Sequence, residues 1–291
     1  MKNPLIISLL LVVCFSFSQA QTPSEIFLFD LAIKKGKVTI SNPVNITHHK
    51  GYDNQPFFHP TNPVVYYSSA NEEGRTDLMG YNYKTQQTLV ITQTPEREYS
   101  PTVTLDGHYL SCIIQRDNGA QDLGKYPIEG GEPTVIIDNL KVGYHVWADN
   151  SHLGLFVLGE PNQLHYVLLP MKRDTVLAEK IGRSLHKVPG ETAFSFVAKL
   201  TDKDWMIEKI NTHTMQVTIL GPTVAGSEDL CWLQDGKILM TDGPKIYFNQ
   251  PSEGPAWNEV VVSSGAGVLK GVTRLAVSGD GKKLAVVVTE E

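Results

Sequence analysis

The sequence predicts an all-β protein, a six-bladed β-propeller, and three observations carry that prediction. The 291-residue chain contains 24 Gly, 17 Pro and 11 Tyr, and it shows no long segment with a helical period. Short apolar segments recur at a period near 44 residues, which is the length of a four-stranded propeller blade. Several of these segments are joined by Asp-Gly, a pair typical of tight β-hairpins.

Each repeat contains a short strand, a turn and a second apolar strand. One anchor residue per repeat lies in the first strand, and successive anchors are 45, 44, 40, 45 and 44 residues apart: Phe58, Val103, Trp147, Lys187, Trp232 and Ala276. Asp-Gly joins the two strands at 106–107, 235–236 and 280–281, where a primed turn needs a residue that tolerates positive φ. The third and fourth repeats match least well, and Lys187 in the fourth is a poor core residue.

A second set of strand-like segments lies between the first ones and supplies the third and fourth strands of each blade. These segments begin at Asp77, Asp122, Gln163, Asp204 and Lys245. One such pair, 25–30 and 37–40, comes near the start of the chain, and a first-and-second pair ends it. The two ends together therefore predict one complete blade that closes the ring. We predict one propeller domain over 21–291, with a β-sandwich as the alternative.

Residues 1–20 are predicted to be a secretory signal peptide. A positive start with Lys2 precedes an apolar run over 5–17, and small residues stand at −3 and −1 before a cut after Ala20. The run is shorter than the roughly 20 residues that a membrane span needs. An uncleaved anchor and lipidation at Cys14 are the alternatives, and Val13 is a poor residue before a lipidated cysteine. We therefore predict an exported protein, periplasmic or secreted.

Cleavage would leave two cysteines, Cys112 and Cys231. An exported protein with two cysteines could form one disulfide. The repeat places these residues in blades 2 and 5, far apart in a ring, so we predict two buried free thiols.

The charge composition limits the classes of partner that the protein is expected to bind. The formal net charge of −6 and the pI near 5.9 argue against a broad nucleic-acid footprint, which usually needs a basic domain. Hydrophobic residues make up 41% and charged residues 19%, as in ordinary globular proteins. We expect a monomer that binds no nucleic acid and has no membrane span.

The first two repeats resemble the repeat of TolB-type propellers, a WD-like arrangement. The matching positions in the first copy are 55–60, 67–69, Gly74, 76–78, Tyr81 and Thr85. Those in the second copy are 99–101, 106–107, 122–123, Tyr126 and 130–131. The match is good over residues 51–136 and degenerate over the rest. The resemblance implies an exported, periplasmic propeller that binds a protein or another macromolecule.

The resemblance covers the propeller and does not extend to the α/β domain that precedes it in the Tol-system protein. The same type of propeller also precedes the hydrolase domain of prolyl-oligopeptidase-like peptidases. The present sequence contains neither such a domain nor a Gly-x-Ser-x-Gly nucleophile elbow.

Eight polar residues form the candidate binding surface, because each lies at or just before the first strand of a blade. Propeller geometry gathers such positions around one mouth of the central channel. They are Asp53, Glu98, Tyr144, His145, Arg183, Glu228, Asp229 and Arg274. The alternative is that these are ordinary solvated loop residues.

Two function classes remain open on the sequence. The first, which we favour, is a non-catalytic binding module for a protein or envelope component, with no cofactor or metal. The second is a propeller enzyme, a sugar or lactone lyase or hydrolase, with its site at the channel mouth. That enzyme would need convergent groups, and His145 and His186 could point into the channel from neighbouring blades, where a metal site is conceivable. No His-x-x-x-His or Cys-x-x-Cys motif supports it.

Overall fold

Six β-sheets are arranged in a ring in the computed structural model, which describes residues 21–290. Five sheets have four strands and one has five, and successive strands within a blade are antiparallel. The all-β class and the six blades are therefore confirmed. The predicted signal peptide, residues 1–20, lies outside the described residues.

Blades 1 to 3 follow one another along the chain, and each runs from an innermost to an outermost strand. Blade 1 consists of Asp53–Phe58, Val64–Ala70, Thr76–Asn82 and Gln87–Val90. Blade 2 consists of Arg97–Val103, Tyr109–Gln115, Gln121–Pro127 and Thr134–Ile137. Blade 3 consists of Val142–Trp147, His152–Val157, Gln163–Leu168 and Arg173–Glu179.

Blades 4 and 5 have the shortest innermost strands. Blade 4 consists of His186–Lys187, Ala193–Lys199, Trp205–Asn211 and Val217–Pro222. Blade 5 consists of Leu230–Trp232, Ile238–Thr241, Ile246–Asn249 and Asn258–Glu259. Short 3-10 helices lie between strands at Leu169–Met171, Pro251–Glu253 and Ala266–Val268.

Blade 6 is built from both ends of the described chain. Its strands, from the channel outward, are Val272–Val277, Lys283–Thr289, Ser24–Lys34 and Lys37–Asn45. Ser24 pairs with Thr289 and Asp30 pairs with Lys283 in an antiparallel register. The predicted closure is therefore confirmed. A fifth strand, Val261–Val262, adds in parallel to the outer edge and was not predicted.

The second strands of the blades carry the most continuous apolar runs. Five consecutive residues are buried in both Tyr109–Gln115 and Lys283–Thr289, because each strand is covered on both faces by a neighbouring blade. The outermost strands are the opposite, and every residue of Gln87–Val90 is exposed. The core therefore lies between blades rather than inside one of them.

Each core cluster joins neighbouring blades. Tyr66 and Leu78 of blade 1 pack with Cys112 and Ile114 of blade 2. Cys231 lies in the cluster that joins blades 5 and 6. Both cysteines are free and buried, as predicted.

The repeat anchors lie at or next to the end of each innermost strand. Lys187, the anchor that fits a core badly, is exposed and donates a hydrogen bond from Nζ to the carbonyl oxygen of Ala148 at 2.8 Å. No helix within residues 21–290 is long and apolar enough to cross a bilayer.

Candidate functional site

The innermost strands of all six blades surround a cavity of about 340 Å³ at the centre of the ring, which we call the central chamber. One lining residue from each blade defines it: Gln55, Ser100, Tyr144, His186, Leu230 and Leu275. Much of its wall is apolar, with Phe57, Val146 and Leu185 among the lining side chains.

A second cavity, of about 380 Å³, lies beside the point where the first and last strands of the described chain meet. We call it the terminal chamber and define it by Ser24, Tyr52, Asn54, Thr273 and Thr289. Tyr144, Arg183 and Arg274 line both chambers. These three side chains therefore form the partition between the two chambers.

Arg183, Asp229, Arg274 and Tyr144 form one hydrogen-bonded group across the channel, the channel bridge. Nη2 of Arg183 donates to Oδ2 of Asp229 at 2.6 Å, and Nη1 of Arg274 lies 3.4 Å from Oδ1 of the same carboxylate. Nη2 of Arg274 donates to the Tyr144 hydroxyl at 2.9 Å. The four residues come from blades 3 to 6, or from the segments just before them, so the bridge ties four blades together.

The bridge keeps its charges although it is largely buried. Burial alone would raise the pKa of Asp229, but the guanidinium groups of Arg274 and Arg183 lower it below the usual range. Burial alone would lower the pKa of Arg274, but Asp229 and Tyr144 raise it instead. Both guanidinium groups and the carboxylate are therefore ionised across the physiological range.

Glu228 extends this network away from the two chambers. Its carboxylate lies 3.5 Å from Nε of Arg183 and 2.7 Å from Nζ of Lys199. Glu228 and Asp229 line a third cavity, of about 290 Å³, next to Trp205. The ammonium of Lys199 also lies over the Trp205 ring, 4.3 Å from its centroid.

His145 is buried in the wall of the central chamber. Its Nε2 lies 2.7 Å from Oγ of Ser111, and that hydroxyl also accepts the indole N–H of Trp147 at 2.8 Å. Nδ1 of His145 has no hydrogen-bond partner within residues 21–290. Burial lowers the pKa of His145 to about 3 and that of His186, farther along the same wall, to about 4. Both imidazoles are therefore neutral at physiological pH.

Asp53 and Glu98 lie apart from the channel bridge and do not line the central or terminal chamber. Asp53 is fully buried; its carboxylate lies 3.4 Å from Nδ1 of His49, and burial raises its pKa to about 6. The Glu98 carboxylate accepts hydrogen bonds from the hydroxyls of Thr92, Thr94 and Tyr126 at 3.2, 2.5 and 3.0 Å. Its pKa is raised by burial.

The structure therefore brings together Tyr144, Arg183, Asp229 and Arg274, with Glu228 attached and His145 nearby. Sequence reasoning did not single out Tyr52, Thr273 or Lys199. Tyr52 packs edge-on against Tyr99, with ring centroids 6.3 Å apart. Tyrosines near the start of the innermost strand in each of blades 1 to 3 were the available signal. Within residues 21–290, no group of three or more His, Cys, Asp or Glu side chains is arranged to hold a metal ion.

Comparison with known proteins identifies the fold. No family model and no curated protein matches the sequence. A structure from Agrobacterium tumefaciens that is assigned to TolB is 14% identical, with a TM-score of 0.68 over 93% of this chain and 99% of that chain. TolB from Acinetobacter baumannii is 12% identical, with a TM-score of 0.58, and the match spans 91% of this chain and 63% of that chain.

Enzymes with this fold are also similar in shape. Oligogalacturonate lyase from Vibrio parahaemolyticus is 15% identical, with a TM-score of 0.57 over 88% of this chain and 84% of that chain. The protein is thus a six-bladed β-propeller. More narrowly, it has the TolB-type propeller fold, as the repeat at 51–136 predicted.

Proposed function

We propose that this chain is an exported, non-catalytic binding module, a TolB-like propeller that holds a protein or another component of the cell envelope. The channel bridge is the observation that carries the proposal. Side chains from four blades converge there on one rigid polar surface between two cavities. Pre-formed concave surfaces of this kind suit recognition.

The protonation state and the hydrogen bonding of the carboxylates favour binding over catalysis. Asp229 lies between two cations, and its lowered pKa makes it a weak general base. The Glu98 carboxylate lies away from both chambers and already accepts hydrogen bonds from three hydroxyl groups. The bridge therefore offers hydrogen-bond donors and fixed charge, which suit recognition of a partner.

Capture from envelope extract of the source organism tests the proposal. The exported form is immobilised, crosslinked to bound material and analysed by mass spectrometry, alongside Arg274→Gln and Arg183→Gln. Arg173→Gln is the matched control, because Arg173 is an exposed arginine on the outermost strand of blade 3. A partner retained by the wild type and the control but lost from either bridge variant supports the proposal. No enrichment over a blank support overturns it.

Export is tested separately by sequencing the amino terminus of the protein recovered from envelope and medium fractions. The signal peptide prediction requires that the recovered chain begin at Gln21. A chain that keeps residues 1–20 in the cytoplasmic fraction would contradict it.

An enzyme is the second candidate, and the two neutral imidazoles of the central chamber are the observation that favours it. His186 lines that chamber and is neutral, so one ring nitrogen can accept a proton, although its lowered pKa makes it a weak base. Oligogalacturonate lyases share the fold. Turnover of acidic oligosaccharides that is lost in His186→Gln would support this candidate. Stoichiometric metal in the purified protein would also favour it.

A further inference from the structure

The terminal chamber is positively charged although the protein is acidic. The chain has a formal net charge of −6. Yet the charged side chains among the lining residues of this chamber, all within 21–290, are Arg183 and Arg274, and no carboxylate is part of that lining. The rest of the lining is rich in hydroxyl and amide groups, among them Tyr52, Asn54 and Thr273.

The positive and negative charges in the ion pairs around the chamber are unequal in number. Three cations, Arg183, Lys199 and Arg274, are linked to two carboxylates, Glu228 and Asp229. Both carboxylates line the third cavity, and Asp229 also lines the central chamber, whereas neither lines the terminal chamber. These two carboxylates leave one positive charge in the network uncompensated. Arg274, with a side chain 15% exposed, is its most buried cation, and buried charge usually has a counter-charge.

Hydrogen-bond donors remain available around this charge. Arg183 uses Nε and Nη2 on Asp229, and Arg274 uses Nη2 on Tyr144. Within residues 21–290, Nη1 of Arg183 and Nε of Arg274 donate no hydrogen bond. Thr273 lines both this chamber and the third cavity, and its buried hydroxyl has no partner among the described residues. Unpaired donors in a cavity are expected to find an acceptor.

We propose that the terminal chamber binds a carboxylate, held by Arg183 and Arg274. A carboxylate carries one negative charge, which would balance the network, whereas a phosphate dianion would leave an excess of negative charge. The planar guanidinium fork also matches the geometry of a carboxylate. This inference rests on the proposed binding function, since the carboxylate is the group by which the partner would be anchored.

The carboxylate could belong to a small organic acid or to the end of a peptide, and matched probes separate these sources. Calorimetric titration of the exported form would use lactate against lactamide, and a Gly-Ser-Gly peptide with a free against an amidated carboxyl end. Inorganic phosphate, titrated at alkaline pH where its dianion predominates, is the dianion comparator. We expect the charged member of at least one pair to bind about tenfold or more tightly than its amide. We also expect it to bind more tightly than phosphate.

Substitutions locate the binding. Arg274→Gln and Arg183→Gln should each weaken carboxylate binding by about tenfold or more, and Arg173→Gln should leave it unchanged. Arg274→Lys keeps the charge without the fork and is included in case loss of charge unfolds the bridge. It should also weaken binding if the fork is used. The proposal is overturned by equal binding of acid and amide, by no saturable binding at about 10 mM, or by tighter binding of phosphate.

This test can fail independently of the proposed function. A captured partner that both bridge variants retain would overturn the carboxylate anchor and leave the binding module standing. Carboxylate binding without any captured macromolecule would contradict the proposed partner class and leave the chamber assignment intact.

Discussion

Trp232 in the innermost strand of blade 5 donates its indole N–H to the hydroxyl of Ser195 in the second strand of blade 4, at 2.9 Å. Trp147 and Ser111 repeat the same relationship between blades 3 and 2, at 2.8 Å. In both pairs the serine is also within hydrogen-bond distance of a backbone carbonyl oxygen in its own innermost strand. The two tryptophan anchors of the repeat therefore connect blade 3 to blade 2 and blade 5 to blade 4.

Replacing either tryptophan should loosen the contact between two blades. Trp147→Phe and Trp232→Phe keep an aromatic ring but leave the buried serine without its indole donor. We expect each to lower the free energy of unfolding by about 1–2 kcal/mol, measured by urea denaturation. Trp205→Phe is the control, because the Trp205 indole donates to the carbonyl oxygen of Thr201 in the same blade, and it should lower stability less than either anchor substitution. Equal effects in all three variants would contradict the inter-blade role.

Asp53 should make the protein less stable as the pH rises. Burial raises its pKa to about 6, above the value near 4 of an unfolded aspartate. The protonated form is therefore favoured in the folded state, and its contribution is complete below about pH 4 and lost as the pH passes 6. We expect Asp53→Asn to remove this contribution, which is roughly 2–3 kcal/mol.

The measurement is the difference in urea midpoint between the wild type and Asp53→Asn across this pH interval. His49 and Glu25 face the same carboxylate, and His49 opposes the shift while Glu25 adds to it. Asp202→Asn is the control, because Asp202 is exposed in a loop of blade 4. A difference that does not change between pH 4 and pH 7 would contradict the buried acid.

Removing the carboxylate of the channel bridge should greatly lower the free energy of unfolding. Asp229→Asn leaves two guanidinium groups facing each other with little compensation, which typically costs about 3–5 kcal/mol. Added sulfate should raise the melting temperature of this variant more than that of the wild type, because an anion can replace the lost charge.

Asp117 provides a matched control for this variant. It also accepts from two arginines, Arg75 and Arg97, at 3.0 and 2.9 Å, but its side chain is 67% exposed. Asp117→Asn should therefore cost much less than Asp229→Asn, because solvent screens an exposed ion pair. If the two substitutions cost the same, the bridge is not a buried structural element.

The two thiols within residues 21–290 should not react in the native protein. Cys112 and Cys231 are buried, and burial raises the pKa of both thiols, so little thiolate is present. We expect Ellman's reagent to label both only after denaturation. Thr201→Cys, at an exposed loop position, should label at once and verify the reagent. Rapid native labelling of Cys112 would contradict the packing between blades 1 and 2.

The sequence predicted the ring because the ring is repetitive. A spacing near 44 residues and Asp-Gly turns follow from local strand chemistry, and the anchors Trp147 and Trp232 both lie at the ends of innermost strands. The shared blade also followed from the order of strand types along the chain. The two-residue strand Val261–Val262 could not be predicted, because so short a segment has no pattern of its own.

The candidate site was only partly predictable. Asp229 and Arg274 lie at the same level of the ring, and the structure brings them together as a pair. Glu98 lies at that level too, but alternate residues of a strand point to opposite faces, and its carboxylate faces Thr92 and Tyr126. The repeat predicts how far along its strand a residue lies. It does not predict the face of the sheet, because moving by one residue along a strand turns the side chain to the opposite face.

The shared blade also means that the ring can close only at the end of chain synthesis. Ser24–Lys34 is the first described strand to be synthesised, yet it pairs with Lys283–Thr289, which is the last. Until that last strand is synthesised, the earlier strand lacks its inner neighbour and exposes unpaired backbone N–H and C=O groups. Every nascent chain therefore carries an aggregation-prone strand edge for most of its synthesis. A cell that makes this protein must keep that edge apart from other chains until the ring closes, and a chaperone that binds extended segments is suited to the task.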